Sequence, residues 1–114
     1  MRQLREISLR ALRKRRPWRV SGDSMVPDYL DGDLVLVDPA SEISQGDAVV
    51  ARHPFKNVEI IKYVAQIDDD DHVQLRSPQG DDSRQFGRVP RHTVRGRVTI
   101  NVTAHRAGRN AVNR

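Results

Sequence analysis

Short runs rich in apolar residues follow one another along most of the chain after residue 17. Such runs, separated by glycine, proline or aspartate, are typical of β-strands. The pattern predicts strands near residues 18–21, 33–38, 47–53, 57–67, 72–76 and 94–102. Because many short strands with polar turns favour a compact sheet or a partly open barrel over a parallel α/β fold, we expect a mainly β chain of mostly antiparallel strands.

The two ends of the chain follow other patterns. Leu4, Ile7 and Ala11 recur at three- and four-residue spacing among arginines, which predicts a short basic helix over residues 2–15. The residues after about 104 are expected to be unstructured, as chain termini often are. These patterns divide the chain into a basic arm (1–17), a folded domain (18–104) and a disordered tail (105–114).

Two turns carry predictions of their own. Residues 25–30 can form a single helical turn, since Pro27 is tolerated at a helix start. Four consecutive aspartates at 68–71 lie between two predicted strands. Their carboxylates suggest calcium, but no alternation of ligands and no pivotal glycine follows, so we interpret the run as a solvated hairpin tip.

The composition limits the class of protein. The chain of 114 residues can form one domain with a modest core. It contains no cysteine, which excludes disulfides, thiolate zinc sites and a cysteine nucleophile. No apolar run reaches the length of about 18 residues that a membrane span needs, and the basic N-terminus lacks the apolar stretch of a secretory signal. The sequence therefore predicts a cytoplasmic protein.

The net charge of +5 is unevenly distributed. Residues 1–19 carry eight basic residues against one acidic residue, whereas residues 20–104 carry nine basic and fourteen acidic ones. A basic helix can be simply solvated, lie on an anionic membrane or bind phosphates. Because no helix-turn-helix is evident and Trp18 is the only aromatic residue near the arm, we weigh peripheral membrane association for the arm and expect no nucleic acid.

Ser24 is the candidate nucleophile, in the bend of the segment Val-Ser-Gly-Asp-Ser-Met-Val-Pro (20–27). A serine needs a base that removes its proton. None of the histidines has a recognisable triad context, although a triad assembles in space and sequence spacing alone does not exclude one. The histidines are at positions 53, 72, 92 and 105.

Lys62 is the alternative base. Apolar surroundings penalise the charged ammonium and favour the neutral amine, which can accept a proton from a serine hydroxyl. A lysine that extends from a strand into solvent is the simpler interpretation of this pattern taken alone. The flanking residues are Ile60, Ile61, Tyr63 and Val64.

Several segments follow one another in a distinctive order. They are Gly-x-Ser-Met-x-Pro (22–27), Asp-Gly-Asp-Leu-Val-Leu-Val (31–37), Gly-Asp-Ala-Val-Val (46–50) and Ile-Lys-Tyr-Val (61–64). This order and spacing resemble the Ser/Lys peptidases of the type I signal peptidase and LexA-repressor superfamily, and imply their β-fold. Residues 80–90 look like the signal-peptidase box around Asp-Ser-Arg, which repressor-type members are not expected to carry.

The resemblance implies a role for each matching residue and no cofactor or metal. Ser24 would be the nucleophile, with its backbone N–H contributing to the oxyanion hole, and Lys62 would be the general base. The residues that support the nucleophile loop would be Gly22, Asp23 and Met25, and those that brace the lysine strand would be Asp82, Ser83 and Arg84.

Two glycines depart from the pattern of the superfamily. Some members carry, at the position of Gly22, a serine that donates to the oxyanion. Bacterial signal peptidases often carry, at the position of Gly80, a serine that can hydrogen-bond the lysine. Neither departure removes the serine–lysine pair.

The segment before Ser24 differs further from the corresponding segment of type I signal peptidases. A type I signal peptidase would have a transmembrane helix there, whereas these 23 residues are rich in arginine. A short soluble enzyme with the Asp-Ser-Arg box looks most like the proteases that remove the N-terminal propeptide of nickel-type superoxide dismutase. The resemblance thus implies a soluble serine endopeptidase whose catalytic domain spans 18–104 and whose substrate is that precursor. The alternatives are another precursor, or a catalytically silent module that binds membrane or nucleic acid through its arm.

Overall fold

A computed structural model of the chain describes residues 14–81 and 88–112. These residues form eight strands, a 3₁₀ turn and a short helix. The strands are β1 (Arg16–Arg19), β2 (Leu34–Asp38), β3 (Ala48–Arg52), β4 (Glu59–Ile67), β5 (His72–Ser77), β6 (Gly80–Asp81), β7 (Arg88–Pro90) and β8 (Val94–Asn101). The 3₁₀ turn (Arg91–Thr93) precedes β8, and helix α1 (Val102–Arg106) follows it.

The prediction of a mainly β fold is confirmed. Each of the six predicted strands corresponds to an observed strand, with ends that differ by at most two residues. The sequence pattern does not predict β6 and β7, since strands of two and three residues are too short to show one. The predicted basic helix lies outside the described residues, apart from its last two positions.

The strands form one curled sheet in the order β1-β2-β8-β3-β4-β5-β6, and β7 pairs with β5. Every described pair is antiparallel. Side chains of β1 reach β4 although three strands separate the two: Trp18 Nε1 donates to Glu59 Oε1 at 3.0 Å, and Arg16 contacts the same carboxylate at 3.4 Å. The sheet therefore has the curvature of a partly open barrel.

Alternation along β3 and β4 produces an apolar cluster on each face of the sheet. Val50 pairs with Ile61 on one face, and Val49 pairs with Lys62 on the other. The first cluster contains Val20, Met25, Tyr29, Val35, Val37, Ala48, Val50, Ile61 and Val98. The second cluster contains Val49, Ala51, Val64, Val73, Leu75, Val89 and Val94. Because β3 is buried on both faces, its sequence is a continuous apolar run and does not alternate.

Both predicted turns lie within the described residues. β4 ends at Ile67 and β5 begins at His72, so the aspartates at 68–71 do form the tip of a hairpin. Residues 25–30 make one turn, in which the Tyr29 N–H donates to Met25 O at 2.9 Å. The turn does not extend into a regular helix.

The C-terminal residues correct one prediction. Residues 105–112, expected to be disordered, continue from β8 through α1 and fold back against the sheet. The Asn101 side chain accepts from Ala104 N–H, its backbone N–H donates to Ala111 O at 2.8 Å, and Val112 forms an antiparallel bridge with β8. These contacts are made by polar groups in a segment that has no periodic apolar pattern, so the local sequence does not indicate them.

Candidate active site

Ser24 lies in the connection between β1 and β2, residues 20–33, which we call the Ser24 loop. Two backbone hydrogen bonds of 2.8 Å hold its ends together, from Val20 N–H to Asp33 O and from Gly32 N–H to Val20 O. Gly32 has a φ of 86°, a left-handed conformation that glycine adopts without strain. The loop therefore leaves and re-enters the sheet at adjacent points.

The bend before Ser24 depends on Gly22. Gly22 has a φ of 85°, and its N–H donates to Asp31 Oδ1 at 2.8 Å. Beyond the bend, the Val26 N–H donates to Asp23 O at 3.2 Å. The side chain of Ser24 is exposed, and its hydroxyl takes part in no hydrogen bond with the residues that the structure describes. The bend thus presents the hydroxyl to solvent.

Met25, directly after Ser24, anchors the loop in the core. Its side chain is only 1% exposed and belongs to the first apolar cluster, together with Ile61 of β4. An exposed serine followed by a fully buried methionine fixes the orientation of this short segment. The loop is therefore held against the sheet at the residue next to the candidate nucleophile.

Tyr63 on β4 makes two further contacts with the Ser24 loop. Its Oη donates to Asp28 Oδ2 at 2.6 Å, and its ring lies 6.3 Å from the ring of Tyr29, centroid to centroid. Tyr63 directly follows Lys62 along the strand. These contacts hold the loop over the part of β4 that carries the candidate base.

Both tyrosines keep their phenolic protons at neutral pH. Burial, with the charges of Asp28 and Asp33 nearby, raises the pKa of Tyr29 to about 12. Burial and the hydrogen bond to the Asp28 carboxylate raise the pKa of Tyr63. Tyr63 therefore remains a hydrogen-bond donor to Asp28 over the neutral and mildly alkaline range.

Lys62 is a buried residue in the middle of β4. Only 6% of it is exposed, and it lies opposite Val49 of β3. Alternation puts its side chain on the same face of β4 as Ile60 and Val64, on the side of the second apolar cluster. The alternative interpretation, a lysine extended into solvent, does not agree with this burial.

The described contacts join the Ser24 loop to the neighbours of Lys62. Ile61 and Tyr63 meet the loop, and alternation directs Lys62 to the other face of β4 at this point. The structure thus brings the loop and the strand together, while the pairing of Ser24 with Lys62 as a catalytic dyad stays a prediction. Catalytic hydrogen bonds are often long or poorly aligned before substrate binds.

Asp33 is a buried residue of the site to which sequence reasoning gave no role. Its carboxylate accepts from Leu30 N–H at 2.9 Å, from Asn101 Nδ2 at 2.8 Å and from Arg109 Nη2 at 2.7 Å. Burial alone would raise the pKa of this carboxyl group, but the three hydrogen bonds and the arginine charge outweigh it and lower the pKa. Asp33 thereby joins the end of the Ser24 loop to β8 and to the C-terminal segment.

An open cleft of about 680 Å³ adjoins the Ser24 loop. Tyr63, beside Lys62, lies in its wall, and the Arg76 guanidinium is 4.9 Å from the centroid of the Tyr63 ring. The cleft has room for several side chains of an extended peptide. Its lining residues are Pro27, Asp28, Tyr29, Gly46, Tyr63, Arg76, Pro78, Arg109, Asn110 and Val112.

The predicted bracing residues of the site, Asp82, Ser83 and Arg84, lie outside the described residues. Over residues 14–81 and 88–112, no three His, Asp or Glu side chains gather in a group that could hold a metal ion. Within the same ranges, no helix has the length and apolar character needed to cross a membrane.

Comparison with known proteins agrees with the mainly β fold. A family model described as Peptidase S24-like matches residues 8–99, which is most of the chain. The match defines a domain of the serine-peptidase type, in agreement with the resemblance to the wider superfamily. The chain belongs to the S24-like peptidase family. A search of curated proteins found no match.

Proposed function

We propose that the protein is a serine endopeptidase that cleaves a precursor protein at one site, with Ser24 as nucleophile and Lys62 as general base. The observation that carries this proposal is the burial of Lys62 on the strand over which the Ser24 loop is held. General-base catalysis needs a proton acceptor that the fold holds in place near the nucleophile, and the strand that carries Lys62 contacts the Ser24 loop.

The reaction would proceed in two steps. Ser24 Oγ attacks the scissile carbonyl carbon while its proton passes to Lys62 Nζ, and the peptide C–N bond then breaks as that proton goes to the leaving amine. Water then attacks the acyl-enzyme ester, gives a proton to Lys62 Nζ, and releases the acid, and the proton returns to Ser24 Oγ. Lysine thus alternates between base and acid, as histidine does in a triad.

The backbone of the Ser24 loop suggests the oxyanion donor. The N–H of Gly22 is engaged by Asp31, whereas the Ser24 N–H has no hydrogen-bond partner among the described residues. An N–H with this freedom can donate to the oxyanion of the tetrahedral intermediate, and loss of one such donor typically costs about 100- to 1000-fold in rate. Gly22 then supports the bend, and Ser24 supplies the donor.

For the substrate, we propose the precursor of nickel-type superoxide dismutase, from which the enzyme would remove the N-terminal propeptide. This part rests on the resemblance of the segment order and the Asp-Ser-Arg box. The cleft beside the Ser24 loop has room for several residues of an extended propeptide.

The proposal is tested by incubating the precursor with purified variants and following the shortened product by mass spectrometry. Ser24→Ala should abolish processing, and Lys62→Met, which keeps the length of the side chain, should slow it at least about 100-fold. The matched controls Ser44→Ala and Lys56→Ala change exposed residues and should process at the wild-type rate.

Each result separates one part of the proposal from the rest. A Lys62→Met variant that cleaves as fast as the wild type would exclude the lysine as the base. An enzyme that cleaves other precursors through Ser24 but leaves the dismutase precursor intact would exclude that substrate and retain the dyad.

A further inference from the structure

The connection between β3 and β4, residues 53–58, carries apolar side chains that the fold leaves uncovered. We call this connection the β3–β4 tip. Phe55 is 73% exposed and Val58 is 52% exposed, and neither belongs to an apolar cluster of the sheet. Single exposed apolar residues are common on protein surfaces, but neighbouring ones at one turn form a patch that can bind a partner.

Local contacts hold the β3–β4 tip in one conformation. The His53 N–H donates to Val58 O at 2.8 Å and closes the hairpin. His53 Nδ1 accepts from the N–H groups of Phe55 and Lys56 at 3.0 and 3.1 Å. The rings of His53 and Phe55 also meet edge to face, with centroids 6.0 Å apart. These contacts fix the Phe55 side chain in an exposed position.

Basic side chains surround the apolar patch. Lys56 lies within the tip, Arg52 directly precedes it, and both side chains are exposed. Arg95, also exposed, lies with Arg52 in the wall of a hollow of about 240 Å³ beside the tip. Glu59 is the acidic residue of that wall, and Arg16 and Arg95 contact its carboxylate at 3.4 and 3.8 Å. Positive charge therefore exceeds negative charge around the tip.

The basic arm enters the fold beside the same tip. Glu59 directly follows Val58, the last residue of the tip, and it accepts from Trp18 Nε1 at 3.0 Å as well as contacting Arg16. Residues 1–15 precede Arg16 along the chain and carry six basic residues against one acidic residue. The positive charge around the tip therefore continues along the chain into the arm.

We propose that the β3–β4 tip inserts into the interface of an anionic membrane. Phe55 and Val58 enter the boundary of the acyl chains, where apolar side chains leave water. The surrounding lysine and arginines lie at the level of the anionic headgroups, which attract each of them. The tip thus gives the electrostatic attraction of the arm an apolar anchor. This inference does not depend on which bond the protein cleaves.

The size and chemistry of the tip favour a bilayer over other partners. A stable protein complex buries about 800 Å² on each partner, which is more surface than a turn of six residues offers. Single-stranded nucleic acid binds where bases stack on aromatic rings, and Val58 has no ring to offer. Two apolar side chains within a ring of cations match a bilayer whose apolar interior lies beneath anionic headgroups.

Sedimentation with lipid vesicles gives the first test. The full chain should bind vesicles of phosphatidylcholine and phosphatidylglycerol in equal parts more tightly than vesicles of pure phosphatidylcholine. Phe55→Ser should weaken binding to the anionic vesicles about tenfold, and Arg52→Gln about fivefold. The matched control is Ile67→Ser, which changes an exposed apolar residue beside the aspartates at 68–71 and should bind as the wild type. Thermal unfolding shows whether each variant is folded.

Tryptophan fluorescence gives a second test, which reports the position of the tip. Trp18 is the only tryptophan, so Trp18→Phe with Phe55→Trp leaves one indole, at the tip. Brominated acyl chains in the anionic vesicles should quench its emission. The control, Trp18→Phe with Ile67→Trp, should remain unquenched on the same vesicles.

Three results would overturn the proposal. If Phe55→Ser binds anionic vesicles as tightly as the wild type, the basic arm binds them without the tip. If the indole at position 55 stays unquenched while the protein is bound, the tip lies outside the bilayer. If the chain does not bind the vesicles but binds a DNA duplex, and Phe55→Ser weakens that binding, the tip is a nucleic-acid surface.

Discussion

Two aspartate–arginine pairs in this protein have nearly the same geometry and different surroundings. Arg109 Nη2 lies 2.7 Å from Asp33 Oδ1, and Arg88 Nη1 lies 2.6 Å from Asp70 Oδ2. The side chain of Asp33 is 4% exposed, whereas that of Asp70 is 53% exposed. The first pair lies beneath the Ser24 loop, and the second lies at the β4–β5 hairpin tip. A short distance therefore does not by itself measure what a charged pair contributes.

Solvent accounts for the difference between the pairs. At the hairpin tip, the hydrogen bond from Arg88 lowers the pKa of Asp70, but both side chains can exchange the contact for water at little cost. The Asp33 carboxylate cannot exchange its contacts for water in this way, because its oxygens accept from backbone and side-chain donors inside the protein. Removing a buried carboxylate leaves these donors unsatisfied, which costs more than the loss of the ion pair.

Asp33→Ala should therefore have the largest effect on stability. We expect a loss of about 3 kcal/mol in the free energy of unfolding, the low end for a broken buried pair because Arg109 keeps some access to water. Urea denaturation measures the change, with Asp69→Ala at the exposed hairpin tip as the matched control. The activity should also fall, since the Leu30 N–H at the end of the Ser24 loop loses its acceptor.

A double-mutant cycle sharpens this result. Because Arg109→Ala removes the same ion pair from the other side, the double variant with Asp33→Ala should cost less than the sum of the single changes. Strict additivity of the two losses in unfolding free energy would show that the two side chains act independently. The Asp33–Arg109 contact would then not explain why the buried pair differs from the exposed one.

The pH dependence of stability gives a smaller effect with a defined sign. The folded protein lowers the pKa of Asp33 below its unfolded value, so the carboxylate stabilises the fold above that unfolded value, about 3.9. This contribution is lost as the pH falls through the folded pKa. The difference in unfolding free energy between the wild type and Asp33→Asn should be constant near neutral pH and shrink below about pH 4. A difference that grows in acid would contradict the lowered pKa.

The buried pair also shows where sequence reasoning ends. Short apolar runs bounded by glycine, proline or aspartate are sufficient to predict six strands, and the four aspartates at 68–71 are sufficient to predict a hairpin tip. The apolar residues around Lys62 were compatible with its burial. These features depend on residues that lie close together along the chain, and the spacing of such residues indicates a strand or a turn.

The contacts of Asp33 depend on residues far apart in the chain. Arg109 and Asn101 come from segments more than sixty residues away. No local pattern distinguishes an arginine that folds back onto a buried carboxylate from one in a disordered tail. The order of residues 105–112 likewise depends on contacts with β8, which no local pattern of the sequence indicates.

Arg88→Ala should have the smallest effect and completes the comparison. Arg88 contacts both Asp68 and Asp70, and its removal leaves exposed groups that water can solvate. We expect a urea midpoint that cannot be distinguished from the wild type, and the same result in high salt, since salt screens an exposed pair in the wild type as well. A loss as large as that of Asp33→Ala would mean that the hairpin tip holds β7 against β5 through this arginine. Burial would then be the wrong explanation for the difference between the two pairs.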